Sequence, residues 1–144
     1  MRRVVATALM VVSIFVSSFS LALADYPPRI PPGNGTIIIR NNMGGYVGAY
    51  GEWVNRILNS GRQVEIRGEC ASACTMILYI PKERICVSSR AQFSFHLEGD
   101  FTHWYRYPSE VQQWLQRQGG RGFGKRWAIL KGRELLSIFR LCGS

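Results

Sequence analysis

The chain has 144 residues, which at about 100–200 residues per domain makes one domain. Apolar residues make up 47% and charged residues 19%, a balance that excludes a disordered chain. The net charge is +9. Residues 101–144 carry eight Lys and Arg against Glu110 and Glu134, a basic face that could steer the protein to nucleic acid, anionic lipid or an acidic substrate, or simply keep it soluble.

Met1–Ala24 reads as a secretory signal peptide. Arg2 and Arg3 form the positive start, Val4–Leu21 the apolar stretch and Ala22-Leu23-Ala24 a small-x-small cleavage site, so Asp25 would begin the mature chain. The competing reading is an uncleaved membrane anchor. No second apolar stretch could span a bilayer, so no membrane span is expected after cleavage, and the protein is expected in the periplasm or secreted. Export permits disulfides. Cys70, Cys74, Cys86 and Cys142 allow three pairings, and buried reduced thiols are the alternative to all of them. The pairing Cys70–Cys74 with Cys86–Cys142 is favoured, its second bridge pinning the tail to the core. There is no C-x-x-C spacing, and only His96 and His103 could complete a metal site, so neither metal nor cofactor is expected.

In chain order, residues 25–34 hold Pro27, Pro28, Pro31 and Pro32 and form an extended lead-in to a domain over 35–144. Thr36–Arg40 is a β-branched run of the kind buried on both faces of a sheet. Asn41-Asn42-Met43-Gly44-Gly45 is a turn. Tyr46–Asn59 has helical spacing, with Val47, Tyr50, Val54 and Leu58 near one face. Gln63–Arg67 is a second strand and Gly68-Glu69-Cys70-Ala71 a tight connection. Ser72–Ile80 reads as a buried helix stopped by Pro81. Arg84–Ser88 and Ala91–Leu97 are strands, the latter with Ser94 and His96 on one face. Pro108–Gln118 is a surface helix, and Lys131–Cys142 an amphipathic one with Leu135, Ile138, Phe139 and Cys142 inward.

This order of strands and helices gives an α/β fold with a mostly parallel sheet and crossover helices. Right-handed crossovers place the turns Asn41–Gly45 and Gly68–Ser72 at the same sheet edge, where open α/β sheets bind ligands. Ser72 opens a helix after a small-residue turn, so its hydroxyl and the first-turn N–H groups face that cleft. Gly44-Gly45 lets a further N–H approach, and His96 follows as a general base. Each residue also has a plain reading: Ser72 as an N-cap, Gly44-Gly45 as a turn, His96 as a structural histidine.

The run Gly68-Glu69-Cys70-Ala71-Ser72-Ala73-Cys74-Thr75, then Arg84-Ile85-Cys86-Val87 and Ala91-Gln92-Phe93-Ser94-Phe95-His96, resembles the Clp protease/crotonase superfamily. More closely, it is similar to exported Clp-like proteins of alphaproteobacteria with a C-x-S-A-C-T motif and a later F-H. The likeness covers about residues 34–98, and more loosely the Tyr107-Pro108 helix and the tail near Cys142. It implies Ser72 as nucleophile, His96 as base, and the Gly45 and Ala73 amides as oxyanion donors. Asn42-Met43-Gly44-Gly45 stands for the family's S-P-G-G loop, with Met43 in place of proline.

The family's triad aspartate has no counterpart, since its distance runs past the C-terminus. Asp100, Glu98, Glu110 or Glu134 would have to orient His96. The lysine base of the signal peptide peptidase branch would fall to Lys82, Lys125 or Lys131, none in a matching motif. The sequence therefore points first to an exported serine hydrolase acting on peptide or other acyl bonds. The alternative is a catalytically inactive Clp-like domain that binds an envelope partner through Trp104, Tyr105, Arg106, Trp114 and Trp127, unless those aromatics are core. Nucleic acid is not an expected partner, and an oligomer is allowed.

Overall fold

The computed structural model of the protein describes residues 26–96, 104–119 and 127–143. The leader and its cleavage site, together with Glu98, Asp100, His103 and Lys125, lie outside the described residues. In chain order the elements are β1 (Ile37–Ile39), α1 (Val47–Asn59), β2 (Val64–Ile66), β3 (Glu69–Ala71), a 3-10 helix (Ser72–Tyr79), β4 (Ile85–Val87), β5 (Gln92–Phe95), α2 (Ser109–Arg117), β6 (Ala128–Lys131), α3 (Gly132–Leu136) and β7 (Arg140–Leu141). Short 3-10 turns stand at Lys82–Arg84 and Trp104–Arg106.

The fold is α/β and mostly parallel. One sheet has the order β1-β2-β4-β7 with every pairing parallel. A second has the order β3-β5-β6, with β3 and β5 parallel and β5 and β6 antiparallel. Glu69–Ala71 is thus a strand rather than a tight connection, its register Cys70 to Phe93 and Ala71 to Ser94. β1 buries Ile37 and Ile39 but leaves Ile38 exposed, because only one of its faces meets the core.

Helix α1 buries Tyr50, Trp53, Val54 and Ile57, a stripe at the i, i+3, i+4, i+7 spacing of one helix face. Burial follows the large Trp53 ring, so Val47 is left exposed and Leu58 only partly covered. The Arg84 guanidinium donates to the Ile57, Leu58 and Arg62 carbonyls at 2.6–3.0 Å. Its bonds to Ile57 and Leu58 satisfy oxygens near the end of the helix that lack an i+4 donor, and those to Arg62 hold the chain just beyond it.

Two further stretches differ from expectation in kind. Ser72–Tyr79 is 3-10 rather than α-helical. The Thr75 hydroxyl donates to the Ser72 carbonyl at 2.7 Å, tightening the first turn at the i−3 spacing, and the residues Ala73–Leu78 are buried all round, so no amphipathic period opposes it. Residues 131–142 are not one helix. The helix lasts only through Leu136, after a Gly132 with φ +58°, and the chain then returns to the sheet as β7 beside β4. The Cys86–Cys142 disulfide fixes that return. Leu135 and Phe139 are still buried, so the apolar i, i+4 pair reaches the core without a continuous helix. The other bridge joins Cys70 and Cys74. Among the described residues no helix is long and apolar enough to cross a membrane.

Candidate functional site

Strand β3 ends at Ala71, and the next residue, Ser72, has φ +53°. An L-residue in the left-handed region costs roughly 1–2 kcal/mol, so the surroundings must hold it there. Three contacts do so. The Cys70–Cys74 disulfide brackets the turn. Thr75 Oγ1 holds the Ser72 carbonyl. The glycine loop closes over it from the other side.

That loop is fastened to β3 by backbone bonds from Asn42 N–H to the Glu69 carbonyl (2.7 Å) and from Ala71 N–H to the Asn42 carbonyl (2.8 Å). Asn42 Oδ1 then accepts the Gly44 N–H at 2.9 Å and the Tyr50 hydroxyl at 2.7 Å. Burial raises the Tyr50 phenol pKa, and the bond to Asn42 partly offsets this. Gly44 has φ +83°, and a Cβ there would stand 2.6 Å from the Ala71 carbonyl oxygen, 2.7 Å from Ala73 N and 2.9 Å from Ser72 Cβ. Only glycine lets the loop press so closely on the turn. Since the Gly44 amide is occupied by Asn42, the next one along is that of Gly45, which is half-buried.

His96 follows β5 directly, and the β3–β5 register carries it alongside the turn after Ala71. Ser72 Oγ and His96 Nε2 are 2.6 Å apart. The serine is not an N-cap: Ala71 is the cap residue, without a side-chain cap bond, and the Ser72 hydroxyl is turned to the imidazole instead. Ser72 is half-buried and Ala73 buried, so the serine stands at the margin of the core rather than inside it. The His96 ring leans on Trp127, with centroids 4.6 Å apart at 52°.

Among the described residues no carboxylate hydrogen-bonds to His96. Glu110 is paired with Lys82, whose ammonium holds its carboxyl below the usual range, and Glu134 lies exposed on α3. The proposed lysine bases fare no better: Lys82 is held by Glu110, and Lys131 is exposed on β6 opposite Gln92. Glu69, which the sequence did not single out, accepts the Ser94 hydroxyl at 2.7 Å on the strand leading to His96. Asn42, which the sequence places in the turn and glycine loop without a role of its own, forms a side-chain turn to the backbone two residues on, as asparagine does readily. No group of three or more His, Cys, Asp or Glu among the described residues could hold a metal.

The aromatic residues divide. Trp114 is core, packed on Phe95 with centroids 6.0 Å apart, whereas Tyr105 is 71% and Trp127 48% exposed. Arg106 stands 4.2 Å over the Tyr79 ring.

Fold and site together define a mostly parallel α/β protein with a serine–histidine pair at a strained strand-to-helix turn. The chain is similar to a mutant form of ClpP1 from Listeria monocytogenes, with 18% identity and a TM-score of 0.45 over 74% of this chain and 71% of that one. No protein-family model and no curated protein matches it.

Proposed function

We propose that the protein is an exported serine hydrolase cleaving peptide or other acyl bonds. The observation that carries this reading is the 2.6 Å contact of Ser72 Oγ with His96 Nε2 at a turn where Ser72 holds a left-handed backbone. Strain of this kind persists where a nucleophile must be lifted out of a strand-to-helix turn, and an N-cap serine has no need of it.

In the first step Ser72 Oγ bonds to the substrate carbonyl carbon while its proton passes to His96 Nε2, and the carbonyl electron pair moves onto oxygen. That oxyanion is received by the Ala73 and Gly45 amides. Ala73 is the second residue of the 3-10 helix, among the first-turn donors that have no intrahelical partner. When the intermediate collapses, His96 returns the proton to the leaving amine or alcohol, and the acyl group stays on Oγ. Water, deprotonated by His96, then releases the acid. A carboxylate just past His96, Asp100 or Glu98, is assigned to hold the other ring nitrogen. The Met1–Ala24 leader takes the chain to the periplasm or beyond, an environment in which both disulfides persist.

The test is labelling by a small fluorophosphonate, located by mass spectrometry. Ser72 should be modified, Ser72→Ala should remain unlabelled, and His96→Ala should slow the reaction by about 10²-fold or more. Folded protein that leaves Ser72 unlabelled, or that labels equally fast without His96, removes the hydrolase reading. The exposed Tyr105 and Trp127 would then favour the non-catalytic domain with an envelope partner.

A further inference from the structure

Behind the nucleophile turn lies a pair of buried hydroxyls that the proposed mechanism does not use. Thr75 Oγ1 is 2.7 Å from the Ser72 carbonyl and 2.9 Å from the Tyr107 hydroxyl. Thr75 and Tyr107 are 3% and 6% exposed. The proton count fixes the direction of this chain. A carbonyl can only accept, so the single Thr75 proton goes to Ser72. The Tyr107–Thr75 contact must therefore be made by the tyrosine donating. The order is Tyr107 O–H to Thr75 O–H to Ser72 C=O, in which each bond polarises the next.

The Ser72 carbonyl and the Ala73 N–H belong to one planar trans peptide unit and point in opposite directions. Whatever holds that carbonyl also aims that amide. The Tyr107 ring packs edge-on against Phe95, with centroids 5.7 Å apart at 76°, and Phe95 is the residue before His96. One side chain therefore touches the strand that carries the base and, through Thr75, the peptide that carries the oxyanion donor. Burial lifts the Tyr107 phenol well above its ordinary pKa, so it is protonated and able to donate at neutral and mildly alkaline pH.

Resting on the hydrolase reading, we infer that Tyr107 is a positioning residue that, through Thr75, aims the Ala73 amide at the oxyanion. Tyr107→Phe removes only the hydroxyl and keeps the ring packing. At saturating fluorophosphonate its maximal labelling rate should fall about tenfold, the effect of losing roughly one hydrogen bond's worth of aim. The half-saturating concentration should not change, because probe binding does not use this chain. Thr75→Val, which takes the donor from the Ser72 carbonyl itself, should be at least as slow, the double variant should be no slower than Thr75→Val alone, and Thr75→Ser, which keeps the hydroxyl, should label at the wild-type rate. The Ala73 amide resonance should shift in Tyr107→Phe. Tyr107→Phe labelling at the wild-type rate, Thr75→Ser labelling as slowly as Thr75→Val, or an unmoved Ala73 resonance each overturns the inference. Wild-type protein that fails to label overturns the hydrolase reading itself, and this inference with it.

Discussion

Ser72 holds a backbone conformation that glycine would adopt without strain, and that choice sets stability against reactivity. Ser72→Gly should be more stable than Ser72→Ala by about 0.5–1 kcal/mol, the relief of left-handed strain less the entropy of a freer unfolded chain. Neither variant should label. Paired denaturant melts check this, and a Ser72→Ala at least as stable as Ser72→Gly would show that the turn carries no strain. Gly44 is the converse case. A Cβ there meets backbone atoms at 2.6 and 2.7 Å, which cannot rotate away. Gly44→Ala should cost about 2 kcal/mol or more, the left-handed penalty together with displacement of the loop. Its labelling should fall by about 10²-fold, read from the same melts and rate measurements. At this scale the sequence was most legible where chemistry restricts residue type: a serine after small residues, a glycine pair, a histidine at a strand end. Thr75 and Tyr107 are 32 residues apart in sequence, and nothing in either one's neighbours announces the other, so that pair became visible only through tertiary packing.

Most elements were legible from sequence in their extent, though not always in the face they bury, whereas the tail held by a covalent bridge was not. Helix α1 and strands β1, β2, β4 and β5 lie within the spans their patterns imply. The tail kept its buried Leu135 and Phe139 but gave up the helix between them and Cys142, because a bridge to β4 and the β7 pairing outweigh propensity over so few residues. This makes the Cys86–Cys142 bridge the chief fastening of the C-terminus. It spans a sequence separation of 56, and the chain-entropy model gives a closure of that size about 4 kcal/mol. Cys142→Ser should lower the melting temperature markedly, and the chain after α3 should become the first site of proteolysis. Limited digestion with intact-mass readout tests it. An unchanged tail would mean that the β7 hydrogen bonds suffice alone.

For the whole molecule, the site and the compartment rest on different stretches of chain and can fail separately. The Ser72–His96 pair is built from β3, β5 and the glycine loop. The proposed export rests on Met1–Ala24, where a basic start, an apolar stretch and Ala22-Leu23-Ala24 stand in the order of a signal peptide. The two disulfides are consistent with this, since thiols in such pairs stay reduced in the cytosol and oxidise outside it. Protein recovered from the producing cell should therefore begin at Asp25, with all four cysteines oxidised. N-terminal sequencing, together with a thiol count under native and denaturing conditions, measures both. A chain that retains Met1–Ala24 with oxidised cysteines would be an exported protein held at the membrane by its leader. A chain that retains the leader with four reactive thiols would lie on the cytosolic side. In that case the Cys70–Cys74 bridge would not bracket Ser72, and the turn at Ser72 would depend on Gly44 and Thr75 alone.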